Sequence, residues 1–156
     1  MKTLLIQVGK TTDKHFTVAI NQYVERISHY MPIETITIPE LKNTKSLSEQ
    51  QQKQQEGEQI LKLIQPQDTL VLLDEHGQEL RSIDFARWLE QKRNTARRLL
   101  FVIGGPYGFS SGVYCRANEQ LSLSRMTFSH QMIRLIFTEQ LYRACTIIKG
   151  EPYHHE

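Results

Sequence analysis

Near the start of the chain the spacing of apolar side chains changes period twice. Residues 3–8, TLLIQV, form a short apolar run closed by Gly9, and residues 33–38, IETITI, alternate isoleucine with polar side chains up to Pro39. Both patterns predict strands. Between them Phe16, Ile20, Tyr23, Ile27 and Tyr30 recur at spacings of three and four, which puts them on one face of a helix that begins near Asp13 and stops before Pro32. Strand, helix and strand in that order form a βαβ unit, so the two strands are expected to be parallel.

The alternation continues downstream. SLSEQQQKQQEGEQILKLI is glutamine-rich, a composition that by itself suggests disorder. Ser46 with Glu49 nevertheless makes a capping-box pattern, and Ile60, Leu61 and Ile64 supply an apolar stripe, so a solvated helix is expected up to Pro66. TLVLLD at 69–74 and LLFVI at 99–103 are continuous apolar runs, the signature of strands buried on both faces. Between them SIDFARWLEQKRN has Ser82 as a possible N-cap and turns Ile83, Phe85, Trp88 and Leu89 toward a core. A short helix from Ser110, a strand-to-loop segment LSLSRMTF at 121–128, and a long helix stopped by Gly150 complete the chain. With no linker or internal repeat visible, residues 1–156 are expected to form one α/β domain, a mostly parallel sheet with helices on both faces.

The last helix departs from simple amphipathicity. Its apolar positions, among them Met132, Ile133, Leu135, Ile136, Phe137, Leu141, Ala144, Cys145, Ile147 and Ile148, spread over most of the circumference. A chain this small has little with which to cover such a helix, so a homodimer packed partly through it is expected. Arg134 and Arg143, nine positions apart, fall on roughly opposite faces and are not expected to share a cluster within one protomer.

Composition narrows the function classes. The 156 residues are 39% hydrophobic and 23% charged, and no apolar run approaches the roughly 18 to 20 residues of a membrane span. The opening MKTLLIQVGK lacks the long apolar region and small-residue cleavage site of a secretory signal, which points to the cytoplasm. A net charge of +2 permits an anionic partner without demanding one. Cys115 and Cys145 are too far apart for a zinc knuckle and are expected to be small buried thiols; no metal is expected.

Three stretches carry candidate chemistry. FVIGGPYGF at 101–109 lacks the Lys-Ser/Thr ending of a phosphate loop, and its glycine order is not that of a dinucleotide fingerprint. What remains is bare backbone at the C-terminal end of a buried strand, where open α/β sheets place ligands, or an ordinary turn. LDEHGQ ends a strand with Asp74, Glu75 and His76, a conceivable general base or merely a polar turn. The terminal PYHHE crowds Tyr153, His154 and His155 after the long helix, an arrangement suited to stacking on a nucleobase.

Taken together FVIGGPYGF, SLSRMTFSHQMIRLIFTEQLYRA and the terminal PYH resemble the RlmH (YbeA-like) family of ribosomal RNA methyltransferases in the SPOUT superfamily, and LLIQVGK and VLLDEHG extend the likeness along the whole chain. The resemblance implies a C-terminal trefoil knot, a homodimer, and S-adenosyl-L-methionine as methyl donor. Its implied reaction is methylation of N3 of pseudouridine 1915 in 23S rRNA within the assembled ribosome. Family motifs place the cofactor on Leu73, on Gly104 and Gly105, and on Leu123, Ser124, Arg125, Met126, Thr127 and Phe128. His130, Arg143, Tyr153 and His154 are the candidates for binding or deprotonating the target base, in no fixed order. The family usually ends in Tyr-His followed by Arg or Lys, whereas this chain has His155 there. Lys92, Arg93, Arg97 and Arg98 are further candidates for RNA contact. A SPOUT enzyme acting on tRNA and a non-catalytic ribosome-associated factor remain the alternatives.

Overall fold

The computed structural model describes residues Met1–Glu156. Five strands, β1 (Lys2–Val8), β2 (Ile33–Ile38), β3 (Thr69–Glu79), β4 (Arg98–Ile103) and β5 (Glu119–Ser122), form one sheet in the order β2-β1-β4-β3-β5. All four pairings are parallel. Five helices connect or follow them: α1 (Lys14–Ser28), α2 (Glu49–Leu61), α3 (Ser82–Thr95), α4 (Ser111–Arg116) and α5 (His130–Lys149).

The alternation of strand side chains builds two cores. Leu5, Val71, Leu99 and Phe101 face one side and pack with Ile27 of α1, Phe85 and Leu89 of α3, and Phe137 and Leu141 of α5. Their neighbours Leu4, Ile6, Leu70, Leu72, Leu100 and Val102 face the other side, under Ile60 of α2 and Val113 of α4. Central strands covered on both faces have no solvent side to turn polar residues toward, hence their unbroken apolar runs. Helix α5 packs against both α1 and α3. No helix is long and apolar enough to cross a membrane.

Several local expectations are corrected. The capping box of α2 uses Ser48 and Gln51, not Ser46 and Glu49: Ser48 Oγ accepts from the Gln51 N–H at 3.1 Å and Gln51 Oε1 from the Ser48 N–H at 2.8 Å. Ser46 instead ends a separate single turn at Thr44–Ser46, entered through Asn43 at φ 59°. Ser82 is the first residue of α3, after Arg81 at the N-cap, and its hydroxyl donates to Gln140 Oε1 at 2.9 Å. Cys145 is buried as expected, and burial pushes its thiol up to about 11, but Cys115 on the one-and-a-half-turn α4 is exposed.

Strand β3 is longer than its apolar run. It leaves β5 after Leu73, bulges through Asp74–Gly77, and pairs again through Gln78 with Leu121 and Glu79 with Ser122. LDEHGQ is therefore a bulge inside a strand rather than a turn after one. Gly77 makes it possible: a Cβ there would sit 2.7 Å from Gln120 C and from Leu121 N, so only glycine lets the two backbones approach this closely.

Candidate functional site

The C-terminal ends of β3 and β4 and the segment following β5 line a solvent-open cavity of about 460 Å³. Leu73, Ile103, Leu121, Leu123 and Ile133 form apolar wall, and the Gly104–Gly108 loop and the Ser124–Ser129 segment close two sides. Of the nine residues expected around a cofactor, Leu73, Gly104, Gly105, Leu123, Ser124, Met126, Thr127 and Phe128 line this cavity. Arg125 does not. Its side chain is 90% exposed and donates from Nε to Glu79 Oε1 at 2.8 Å. Thr127 Oγ1 donates to Glu75 Oε2 at 3.0 Å, so the segment after β5 is tied back to β3 at two points.

The two glycines do not act as bare walls. A Cβ on Gly104 would lie 3.0 Å from the ring of Phe109, and one on Gly105 would lie 2.5 Å from Glu56 Oε1. The room they leave is taken by a buried ring and a buried carboxyl of the protein itself.

The bulge supplies the cavity's fixed charge. Asp74 Oδ1 accepts from the His76 backbone N–H at 2.8 Å and lies 3.0 Å from His76 Nδ1, while Oδ2 accepts from the Tyr114 hydroxyl. Burial works to raise the Asp74 pKa, but these three donors outweigh it and hold the carboxyl below its ordinary value. Burial and the Asp74 charge push the Tyr114 phenol well above its usual range. Asp74 was visible in the sequence as a strand-end acid. Nothing in the sequence pointed to Tyr114, forty positions away on α4.

The four catalytic candidates separate into two places. His130, at the first turn of α5, lines the cavity. Arg143 stands thirteen positions further along α5, about 20 Å at 1.5 Å per residue, and forms a cluster with Tyr153 and His154 outside the cavity. There Glu139 Oε1 accepts from Arg143 Nη2 at 2.5 Å and from the Tyr153 hydroxyl at 3.0 Å. The Arg143 guanidinium lies 4.7 Å from the Tyr153 ring centre. Arg143 Nη1 is 3.1 Å from His154 Nδ1. An arginine only donates, so that imidazole carries its proton on Nε2, which is buried without a partner. Burial, with hydrogen bonds to Tyr23 and Glu139, raises the Tyr153 phenol far above its ordinary value.

A second, polar compartment of about 190 Å³ adjoins the cavity, and Gly105, Pro106 and His130 line both. It contains Arg134, only 2% exposed, whose Nη2 donates to Val8 O at 2.7 Å and Nη1 to Thr11 Oγ1 at 3.0 Å. Sequence reasoning set Arg134 apart from Arg143, correctly, but gave it no role.

The basic residues proposed for RNA contact lie elsewhere. Lys92 pairs with Glu119, and Arg98 Nη2 bonds the buried Asp68 carboxylate at 2.9 Å, so both are engaged within the fold. Arg97 and Arg98 enter β4, placing them at the end of the sheet opposite the cavity. Arg93 and Arg97 are exposed.

Residues 1–154 match the family model described as predicted SPOUT methyltransferase. The chain is 61% identical to the ribosomal RNA large subunit methyltransferase H of Bacteroides fragilis, over 100% of both chains. It is 60% identical to that of Bacteroides thetaiotaomicron and 52% to that of Porphyromonas gingivalis, again over 100% of each. Among solved structures, the SpoU methyltransferase AviRb from Streptomyces viridochromogenes in complex with AdoMet is a distant likeness, with a TM-score of 0.47 and 13% identity over 96% of this chain and 61% of that one.

Proposed function

Because the chain belongs to the SPOUT methyltransferase family, we propose that it is a cytoplasmic homodimer that uses S-adenosyl-L-methionine to methylate N3 of pseudouridine 1915 in 23S rRNA of the assembled ribosome. The observation that supports the reading is the open cleft at the C-terminal strand ends: eight of the nine residues that the family resemblance assigns to the cofactor line it.

The residues present suit the donor. A space of about 460 Å³ is ample for a nucleoside, and its aliphatic side chains together with the peptide groups of the Gly104–Gly108 loop would suit an adenine. Leu73, Leu123, Met126 and Phe128 would hold it, with Ser124 and Thr127 as polar contacts. When bound, the donor supplies a methyl group already activated on a sulfonium.

The remaining work belongs to the protein. Holding nitrogen and methyl in line can contribute roughly 7 to 11 kcal/mol in favourable cases. The target N3–H must also lose its proton, at a cost of about 3 to 4 kcal/mol if its pKa lies two to three units above neutral. The raised pKa of Tyr153 makes it a hydrogen-bond donor and not the base. We assign proton acceptance to His130, the imidazole at the junction of the two compartments.

Arg143, Tyr153 and His154 lie outside the cavity of their own chain, and the buried His154 Nε2 has no partner there. Both observations support a dimer in which the tail cluster of one protomer completes the cavity of the other. The half-buried Ile133, Leu135, Ile136, Ile147 and Ile148 of α5, with Met132 at 36% exposure, give such a dimer an apolar surface. The proposed protomer includes the C-terminal trefoil knot of the family, with α5 packed against α1 and α3.

Transfer of labelled methyl from S-adenosyl-L-methionine to ribosomes lacking the modification tests the reading. Incorporation confined to 23S rRNA and blocked when N3 is already methylated is the expected result. Incorporation into tRNA instead overturns the substrate assignment. Absence of transfer without cofactor-induced heat stabilisation favours a non-catalytic factor.

A further inference from the structure

The two compartments differ in charge. The larger one is lined by Asp74 and Glu75 but by no lysine or arginine, whereas the smaller one brings Arg134 and Lys10 together with Glu40 and Glu56. A ligand filling only the larger cavity would have no permanent cation for a carboxylate of its own.

The smaller compartment is also incompletely satisfied. Arg134 Nε is buried with no hydrogen-bond partner. Glu56, 5% exposed, accepts only from Gln52 Nε2 at 3.3 Å, and burial, with the neighbouring Glu40 charge, pushes its pKa up. Neither Glu40 nor Glu56 has an ion-pair partner. Gly9, with φ +77°, leaves the space occupied by the Glu40 carboxylate, since a Cβ there would be 2.6 Å from Oε1. Glu40 is exposed at the mouth of the compartment, whereas Arg134 and Glu56 are buried, and buried polar groups left without full partners are costly unless a ligand completes them.

We propose that this compartment is the subsite for the zwitterionic amino-acid end of the methyl donor, with Arg134 meeting the α-carboxylate and Glu40 and Glu56 meeting the α-ammonium. The proposal rests on the methyl-donor reading of the larger cavity. A phosphate group of the RNA would satisfy Arg134 and Lys10 but would face two carboxylates, so an anion alone fits worse than a zwitterion. The shared lining at Gly105, Pro106 and His130 connects this end to the adenosyl cavity and brings the reacting centre beside His130.

Calorimetric titration with S-adenosylhomocysteine and with 5′-methylthioadenosine, which lacks the amino-acid end, separates the two compartments. Wild type should prefer S-adenosylhomocysteine by roughly tenfold or more, the worth of a charge-assisted hydrogen bond. Arg134→Met and, at an exposed position that keeps the core intact, Glu40→Gln should each cut that preference several-fold while methylthioadenosine affinity stays unchanged. A preference that persists in both variants, or an equal loss for both ligands in both, overturns the subsite and leaves the methyl-donor reading standing. If wild type binds neither nucleoside, the methyl-donor reading itself falls, and the subsite with it.

Discussion

Replacing Tyr114 by phenylalanine removes one hydroxyl from the edge of the cavity. That hydroxyl donates to Asp74, whose side chain is 7% exposed and has the His76 backbone N–H and ring as its remaining partners. A hydrogen bond to a charged acceptor contributes about 1.5–3 kcal/mol, and the nearly buried acceptor left behind puts this one in the upper half, about 2–3 kcal/mol. For a chain of this size each kcal/mol moves Tm by roughly 2–4 °C, so the midpoint should fall by about 4–12 °C. The pH dependence has a definite sign. Asp74 is held below its ordinary pKa in the fold, so its contribution is complete above the unfolded carboxylate value of about 3.9 and is lost as pH falls through the lower folded value. The gap between wild type and Tyr114→Phe should thus be full at neutral pH and close in acid. Urea unfolding followed by fluorescence of Trp88, the single tryptophan, at fixed protomer concentration measures it. Asp74→Asn and the double variant complete a cycle with an expected coupling near 2 kcal/mol. A coupling below about 0.5 kcal/mol, or a gap equally large in acid, refutes this account of the bulge.

Gly77→Ala would force a Cβ to 2.7 Å from the β5 backbone and should cost about 1–3 kcal/mol in urea unfolding. Gly112→Ala, where the nearest atom outside its own helix is 3.6 Å away, should instead stabilise by about 0.5–1 kcal/mol. Arg98→Ala strands the Asp68 carboxylate and should cost about 3 kcal/mol, whereas Arg97→Ala stays within about 0.5 kcal/mol, so a loss of methylation by the first reports unfolding and not RNA contact. Gly104→Val meets the Phe109 ring and should lower Tm as well as nucleoside affinity, rather than abolishing binding in an intact fold. His155→Arg, at an exposed position, should retain or raise methylation of ribosomes, because a guanidinium is a permanent cation; a large loss excludes a phosphate contact there.

By itself the sequence determined the features that depend on side-chain periodicity and local chemistry. Three of the five strands, β1, β2 and β4, match their expected positions within one residue, β5 starts two residues early and ends at Ser122, and Asp13, Ser110 and Ser129 cap their helices as polar residues ahead of apolar stripes should. β3 was legible only up to Asp74, because the strand resumes through a bulge whose polar residues carry no strand signal. Motif order singled out three separated stretches that line one cavity, since each sits at a strand's C-terminal end. The tertiary structure alone decided what fills the space around those stretches. Phe109 and Glu56 occupy the room left by Gly104 and Gly105, Tyr114 fixes Asp74 across forty positions, and Arg134 lines a second compartment together with Glu40 and Glu56. It also gathered Tyr153 and His154, beyond the end of α5, onto Arg143 and Glu139. Such pairings depend on which elements become neighbours, and neighbours in a sheet ordered β2-β1-β4-β3-β5 are set by the packing of the whole chain, not by any window of it.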